Sequence, residues 1–492
     1  MKVLTISSRE SFLAKIQTNL AIQKIKTLFE GKIVAKYTSS IGDEDVSSKA
    51  WEKHGFGIFT NSLTKKLVSK KANIVVHSFK DLPVKNLNKT SFVCLERDDP
   101  RDVVLIKNSS LKKKKLVIAT SSPRRKYYLR LLKDYLPYQN FKTTTIRGNV
   151  QTRLKKILES KKHDGVFMAK AAIDRIFRHG GKVDMKEFKK FKSLFKKYEK
   201  IILPLSEFPS AAAQGCIALE YRNDDLETKR MLNKINHNSS LEDCLLERKY
   251  LAKWGGGCSL DIGVTIENFI DRKILFARGR DNNTKKYFKE KKYLNKINSK
   301  KFRNIFPPNL SKYQMFKREL EEFSKKLDNK NLLLTRGDYK ETNSLKKASN
   351  ITTSGISTWK KINKKGILIN STLDGFGEYY REIEDYYKNK KARPFKLTYK
   401  GNSFKSKYSI ISHYSLIPSI NEFTVDSLFI SESFYWMSFS AFNLAIQLRP
   451  DILNKRNSCG PGQTYQQISR FIPKENLNVY LTYEDFKKYE LK

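Results

Sequence analysis

Asp81 stands in the run His77-Ser78-Phe79-Lys80-Asp81-Leu82-Pro83, directly after the apolar triplet Ile74-Val75-Val76. A carboxylate just past a buried strand can cap the next helix. It can also sit in a cleft as a fixed counter-charge to a cationic or N–H-bearing intermediate. A second group is basic: Arg9, Arg124 and Arg125 after Thr120-Ser121-Ser122-Pro123, Arg147 before Gly148-Asn149, and Arg153. These arginines follow strand ends, and their small neighbours Ser121, Ser122, Gly148 and Asn149 leave main-chain amides exposed. Guanidinium forks grip carboxylates bidentately, so the set suits a ligand bearing many carboxylates. Phosphate is the rival, weakened because neither a P-loop nor a GxGxxG follows any of these strands. The third feature is Cys258 after Gly255-Gly256-Gly257. A lone cysteine in a tight turn is commonly buried and inert, whereas a thiolate presented on such a loop suits covalent attachment.

These residues need elements to position them. Val3 to Ile6, Ile74 to Val76, Leu116 to Ala119 and Asp164 to Ala169 read as short buried strands. Ser11 precedes a helix with Phe12, Ile16, Leu20, Ile25 and Leu28 near helical spacing. Strands alternating with helices predict an α/β fold with mostly parallel sheets. Ligands of such sheets bind at the carboxyl ends of the strands, where the polar motifs fall. Residues 178–200 form a lysine-rich insertion of helical periodicity, expected as a surface excursion. Near residues 296–330 the composition shifts, through Phe306-Pro307-Pro308 to a charged helix over Lys317 to Lys326, which is expected to be a linker.

The chain has 492 residues, more than one core usually organises, and its 39% hydrophobic content is enough to bury several. Five scattered cysteines without CxxC spacing argue against disulfides or a zinc site and for a reducing cytosol. The start lacks the apolar stretch of a signal peptide, and no run is long enough to span a membrane, so a cytoplasmic protein is expected. Against 50 acidic residues stand 97 Lys and Arg, a formal charge of +47. Charge alone suggests nucleic acid. The lysines, however, are spread over the whole chain, with no basic tail or RNP-like aromatic motif, so no nucleic-acid or membrane partner is expected.

The segments together resemble hydroxymethylbilane synthase, also called porphobilinogen deaminase. The resemblance rests on SSRES at 7–11, GD at 42–43, GIF at 57–59, VVHSFKDLPV at 75–84 and ERDDPRDV at 96–103. It continues with ATSSPRR at 119–125, IRGNVQTRL at 146–154, AAQGCIALE at 212–220 and GGGC at 255–258, in family order over about 300 residues. It implies two domains like periplasmic binding proteins, drawn from residues 1–98 with 216–236 and from 99–215, then a small cysteine-bearing α/β domain at 237–305. A linker at 306–330 and a further α/β domain at 331–492 would follow.

By this resemblance Cys258 would carry a covalent dipyrromethane cofactor, made by the enzyme from its own substrate. Asp81 would hydrogen-bond pyrrole N–H groups and stabilise the azafulvenium cation left when ammonia departs from porphobilinogen. Lys80, Ser122, Arg124, Arg125, Arg147 and Gly148 would hold the cofactor, and Arg9, Ser11, Thr120, Arg153 and Phe59 the substrate, with Gln214 near the interdomain hinge. The protein would be a monomer acting on porphobilinogen, without a metal. One departure lies in the loop Glu52 to Phe59, where Phe56 stands at the place of the family's lysine. A periplasmic solute-binding protein would share the fold, but it predicts a signal peptide and has no use for the GGGC loop.

Residues 331–492 resemble uroporphyrinogen-III synthase through the opening strand Leu332-Leu333-Leu334 with Thr335-Arg336. Expected strands at Ile351 to Ser354 and Leu428 to Ser431, and a turn into a helix at Cys459 to Tyr465, extend the likeness. Such a domain would cyclise the bilane with main-chain amides and residues such as Thr464; the alternative is a non-catalytic appendage.

Overall fold

The computed structural model describes residues 2–39, 61–83, 89–255, 260–281, 284–378, 394–401 and 406–492. The chain divides into two compact units, the first formed by Met1–Lys133, Tyr138–Glu267 and Leu275–Lys292, the second by the rest.

Two five-stranded sheets dominate the first unit. In one, β1 (Val3–Arg9) pairs in parallel with β2 (Lys32–Thr38) and β3 (Ile74–Ser78). Their shared face is apolar, with Leu4, Ile6, Ile74 and Val76 packed on Ala21 and Ile25 of the helix Phe12–Ile25. Beyond β4 (Thr90–Cys94) the chain leaves to build the second sheet from β5 (Asp102–Lys107), β6 (Lys115–Ala119), β7 (Asn140–Thr144), β8 (Gly165–Ala169) and β9 (Tyr198–Ile202). It then returns as β10 (Ile217–Arg222), which runs antiparallel between β3 and β4. The orders are β2-β1-β3-β10-β4 and β7-β6-β8-β5-β9. Each sheet therefore has four strands running one way and a single strand, β10 or β5, antiparallel to both its neighbours, a mixed α/β architecture. The chain crosses between them twice, at 95–101 and 203–216.

Residues 178–200 are not a surface excursion. They complete the helix Lys170–Val183, form the helix Met185–Phe195 capped by Asp184, and enter β9. Phe191 and Phe195 are buried, their rings 5.3 Å and 5.1 Å from that of Phe177. Phe188, Phe191 and Phe195 at helical spacing make a stripe facing Phe177, and the lysines lie between them in sequence. After β10 the helix Asn238–Ala252 leads toward the glycine loop, followed by a three-stranded sheet of β11 (Gly263–Phe269), β12 (Arg272–Arg280) and β13 (Tyr287–Tyr293).

The second unit begins earlier than the sequence suggests. β14 (Ile305–Phe306) pairs in parallel with β21 (Ser433–Trp436) in a four-stranded sheet completed by β22 (Arg456–Cys459) and β23 (Leu477–Val479). A six-stranded sheet of order β15-β20-β19-β16-β17-β18 comprises β15 (Phe316–Leu320), β16 (Asn331–Leu334), β17 (Asn350–Thr353), β18 (Ser371–Thr372), β19 (Phe395–Tyr399) and β20 (Ser409–Pro418). Residues 306–330 are thus not a plain linker, and the charged helix expected over Lys317 to Lys326 is replaced at its start by β15. There, antiparallel pairing with Tyr414–Pro418 outweighs helical propensity. The strand expected at Leu428 to Ser431 is likewise the end of the helix Glu422–Ile430, capped by Asn421. A short apolar run does not by itself separate strand from buried helix.

Candidate active site

β1 delivers Arg9 at its carboxyl end, and Ser11 caps the next helix by accepting from the Ala14 amide at 3.3 Å. β3 passes into a short 3-10 turn, Phe79–Asp81, that presents Lys80 and Asp81. From the second sheet come Thr120, buried at the end of β6, and Ser122, which precedes the helix Pro123–Leu129. Ser121 ties this loop to the next by donating to the Ile146 carbonyl at 2.7 Å. Gly148 has φ +116°, and a Cβ there would lie 2.8 Å from Thr152, so both backbone and space demand glycine. Arg153 donates to the Gly148 carbonyl at 2.7 Å.

The electrostatics converge on Asp81. Burial, then the charge of Arg125, lowers the Arg153 guanidinium to about 10; Arg9 and Arg147 act in the same sense, and Asp81 opposes them. Burial, then Arg125, also lowers the Lys80 ammonium to about 8, with Asp81 and Asp102 opposing and Arg124 adding to the fall. Arg153 therefore feels three other arginines and Asp81, and Lys80 feels Arg124, Arg125, Asp81 and Asp102. Such an excess of buried positive charge suits a polyanion.

Arg124 and Arg125 serve the protein first. Arg124 is 4% exposed and donates to Asp102 Oδ2 at 2.7 Å and to the Pro209 carbonyl at 3.0 Å. Arg125 donates to Asp102 Oδ1 at 2.6 Å but keeps Nε buried without a partner. Burial alone would raise the Asp102 carboxyl, yet the two guanidiniums hold it well below the usual carboxylate range. Gln214, in the second crossing, donates to Asp102 Oδ1 at 3.0 Å and to the Pro100 carbonyl of the first crossing at 2.7 Å, and accepts from Lys80 at 3.0 Å. Asp102 was not singled out from the sequence, although it lies in the run ERDDPRDV and opens strand β5, whose next four residues are apolar. Neighbouring charges in that run are also paired: Arg97 with Glu247 at 2.6 Å, and Asp98 with Arg175 at 2.7 Å. Phe59 and Cys258 lie outside the described residues, as does the loop 52–59.

The family model for porphobilinogen deaminase, dipyrromethane cofactor binding domain, matches residues 4–230. The probable porphobilinogen deaminase of Methanocaldococcus jannaschii is 35% identical over 265 residues, 53% of this chain and 82% of its own. The chain belongs to the porphobilinogen deaminase family. The porphobilinogen deaminase of Caldicellulosiruptor saccharolyticus, 32% identical over 282 residues, is covered to 89% and covers 56% of this chain. Among solved structures, YhfZ from Shigella flexneri aligns at TM-score 0.24 and 9% identity over 51% of this chain and 97% of its own, too little to bear on fold. Membership gives the deaminase cleft its cofactor, the dipyrromethane. The residues present fit such a group, because the arginine set and the unpartnered Arg125 Nε offer donors that its acidic side chains would satisfy. Among the described residues no group of side chains could hold a metal ion, and no helix is long and apolar enough to cross a membrane.

Proposed function

We propose that the first unit condenses four porphobilinogen molecules into linear hydroxymethylbilane with release of ammonia. The carrying observation is a carboxylate, Asp81, that acts on both Lys80 and Arg153, the latter also facing the charges of Arg9, Arg125 and Arg147. Dipyrromethane, attached to Cys258, would supply the pyrrole carbon to which substrate joins. Asp81 supplies the fixed negative charge beside the cation that forms as ammonia leaves, and it accepts pyrrole N–H hydrogen bonds. Arg9, Arg147 and Arg153, with Lys80, Ser11, Thr120, Ser122 and the Gly148 backbone, take the acetate and propionate groups. Arg125 keeps one donor, Nε, for the same purpose, and Arg124, whose Nη1 is directed to Asp102 and Pro209, joins it with its remaining donors. The test is incubation with porphobilinogen. Intact-mass measurement should show two pyrroles on the chain and none after Cys258→Ala, and a bare chain with normal turnover would refute the reading.

The second unit is proposed to close the bilane as a uroporphyrinogen-III synthase. Supporting this, its parallel strands end in hydroxyl and glycine turns: Thr335 after β16, Ser354-Gly355 after β17 and Gly460 to Gln463 after β22. Gly377, in the loop after β18, approaches so closely that a Cβ on it would lie 2.5 Å from the Gly462 Cα. Turns from the two sheets therefore meet, with main-chain amides and Thr464 nearby. Uroporphyrin isomer III from porphobilinogen alone supports the cyclising unit. Isomer I alone leaves a deaminase with a non-catalytic appendage.

A further inference from the structure

We infer that Asp102 is a positioning residue for the condensation: it fixes Arg125 directly and Lys80 through Gln214, on opposite walls of one cleft. Its two oxygens accept from three side chains, Oδ1 from Arg125 at 2.6 Å and Gln214 at 3.0 Å, and Oδ2 from Arg124 at 2.7 Å. Asp102 is fully buried, so no water competes for these bonds. The amide of Gln214 has one workable orientation. Its nitrogen faces two acceptors, Asp102 and the Pro100 carbonyl, which leaves its oxygen for the Lys80 ammonium at 3.0 Å.

The relay is also a staple. Asp102 opens β5 of the second sheet, Lys80 follows β3 of the first, and Gln214 lies in the returning crossing. Arg125 and Lys80 belong to different sheets, and each separately could hold an acidic substituent. Held by one carboxylate, they keep a set spacing while the ligand lengthens, which is the condition for repeated addition at one place. Among the described residues, the charged groups felt by Lys80 include Arg125, Asp81, Asp102 and Arg124. Asp102, with Asp81, favours the protonated form of Lys80.

This inference rests on the proposed role of Lys80 in holding ligand carboxylates. The experiment compares Asp102→Asn, Gln214→Met, their double variant and Lys80→Met, each as the full chain carrying dipyrromethane by intact mass. Both single changes remove support for the ammonium, so the alkaline limb of the kcat/KM profile should move to lower pH by about one unit. The double variant should move it no further than the larger single change, because the two act on one relay. An unmoved alkaline limb alongside a lowered melting temperature would make Asp102 merely structural and overturn the inference. If Asp102→Asn fails to fold, Gln214→Met, which leaves the ion pairs intact, decides alone by the same limb. Normal kinetics in Lys80→Met would instead remove the role of Lys80, and the inference with it.

Discussion

Arg248 donates to the carbonyl oxygen of Leu82 at 3.0 Å, and its guanidinium lies 5.0 Å from the centre of the Phe79 ring. A second donor reaches the Pro83 carbonyl. The helix Asn238–Ala252, which leads toward Cys258, therefore grips the turn that carries Asp81 from both sides. Charge-assisted bonds of this kind contribute about 1.5–3 kcal/mol each. Replacing Arg248 by Met should slow condensation about tenfold or more, because Asp81 loses its setting while the cleft arginines remain. Steady-state porphobilinogen consumption by Arg248→Met checks this, and an unchanged kcat would contradict it.

Asp81 opposes the neighbouring cations around both Lys80 and Arg153. Asp81→Asn keeps the shape and hydrogen-bonding oxygen but removes the charge. Losing one preorganised electrostatic partner costs roughly 10²–10³ in rate. Asp81→Asn should therefore fall by about that factor in kcat, with KM changed much less. A single-turnover assay on the dipyrromethane-bearing protein separates the two.

Glu247 is fully buried; its oxygens accept from Arg97 at 2.6 Å and 3.0 Å and from the amides of Ala213 and Ile266 at 2.7 Å and 2.6 Å. Burial raises its carboxyl above the ordinary value, and Arg97 and the amides only partly offset that. Glu247→Leu leaves Arg97 and two amides without their acceptor, a loss of about 3–5 kcal/mol. The double variant with Arg97→Leu should be less destabilised than the sum of the singles. Urea unfolding of the four proteins completes the cycle.

Legibility followed the range of the interactions. β1, β3, β6 and β8 could be read because each is a short apolar run ended by polar residues. The electrostatic coupling of Asp81 to Lys80 and Arg153, and of Arg153 to Arg9 and Arg147, follows from their positions at or soon after strand ends. The inward turn of Arg124 could not be read, since its partner Asp102 is 22 positions away and separated by a whole strand. Leu428 was misread for a different reason: it is buried, while its neighbours Phe429 and Ile430 are exposed on a helix that no periodicity over four residues reveals.

His413 offers the sharpest pH test in the second unit. It is 1% exposed, neither ring nitrogen has a partner, and it stacks on Tyr339 with centroids 4.4 Å apart. It is the extra residue where β20 shifts register against β19 between Ser412 and Tyr414. Burial, then Arg336, lowers its imidazole from 6.5 to about 4, with Asp338 and Glu321 opposing. A depressed folded value means the unfolded chain binds the proton first. The stability His413 contributes is therefore complete above about pH 6.5 and is lost as pH falls toward 4. The whole effect is on the order of 3 kcal/mol. His413→Phe retains the stack and removes the titration, so unfolding of the second unit should become flatter between pH 6.5 and 4 without losing stability at neutrality. Denaturant midpoints followed by Trp359 and Trp436 fluorescence would show this, and an equally steep acid dependence in the variant would assign it to other groups.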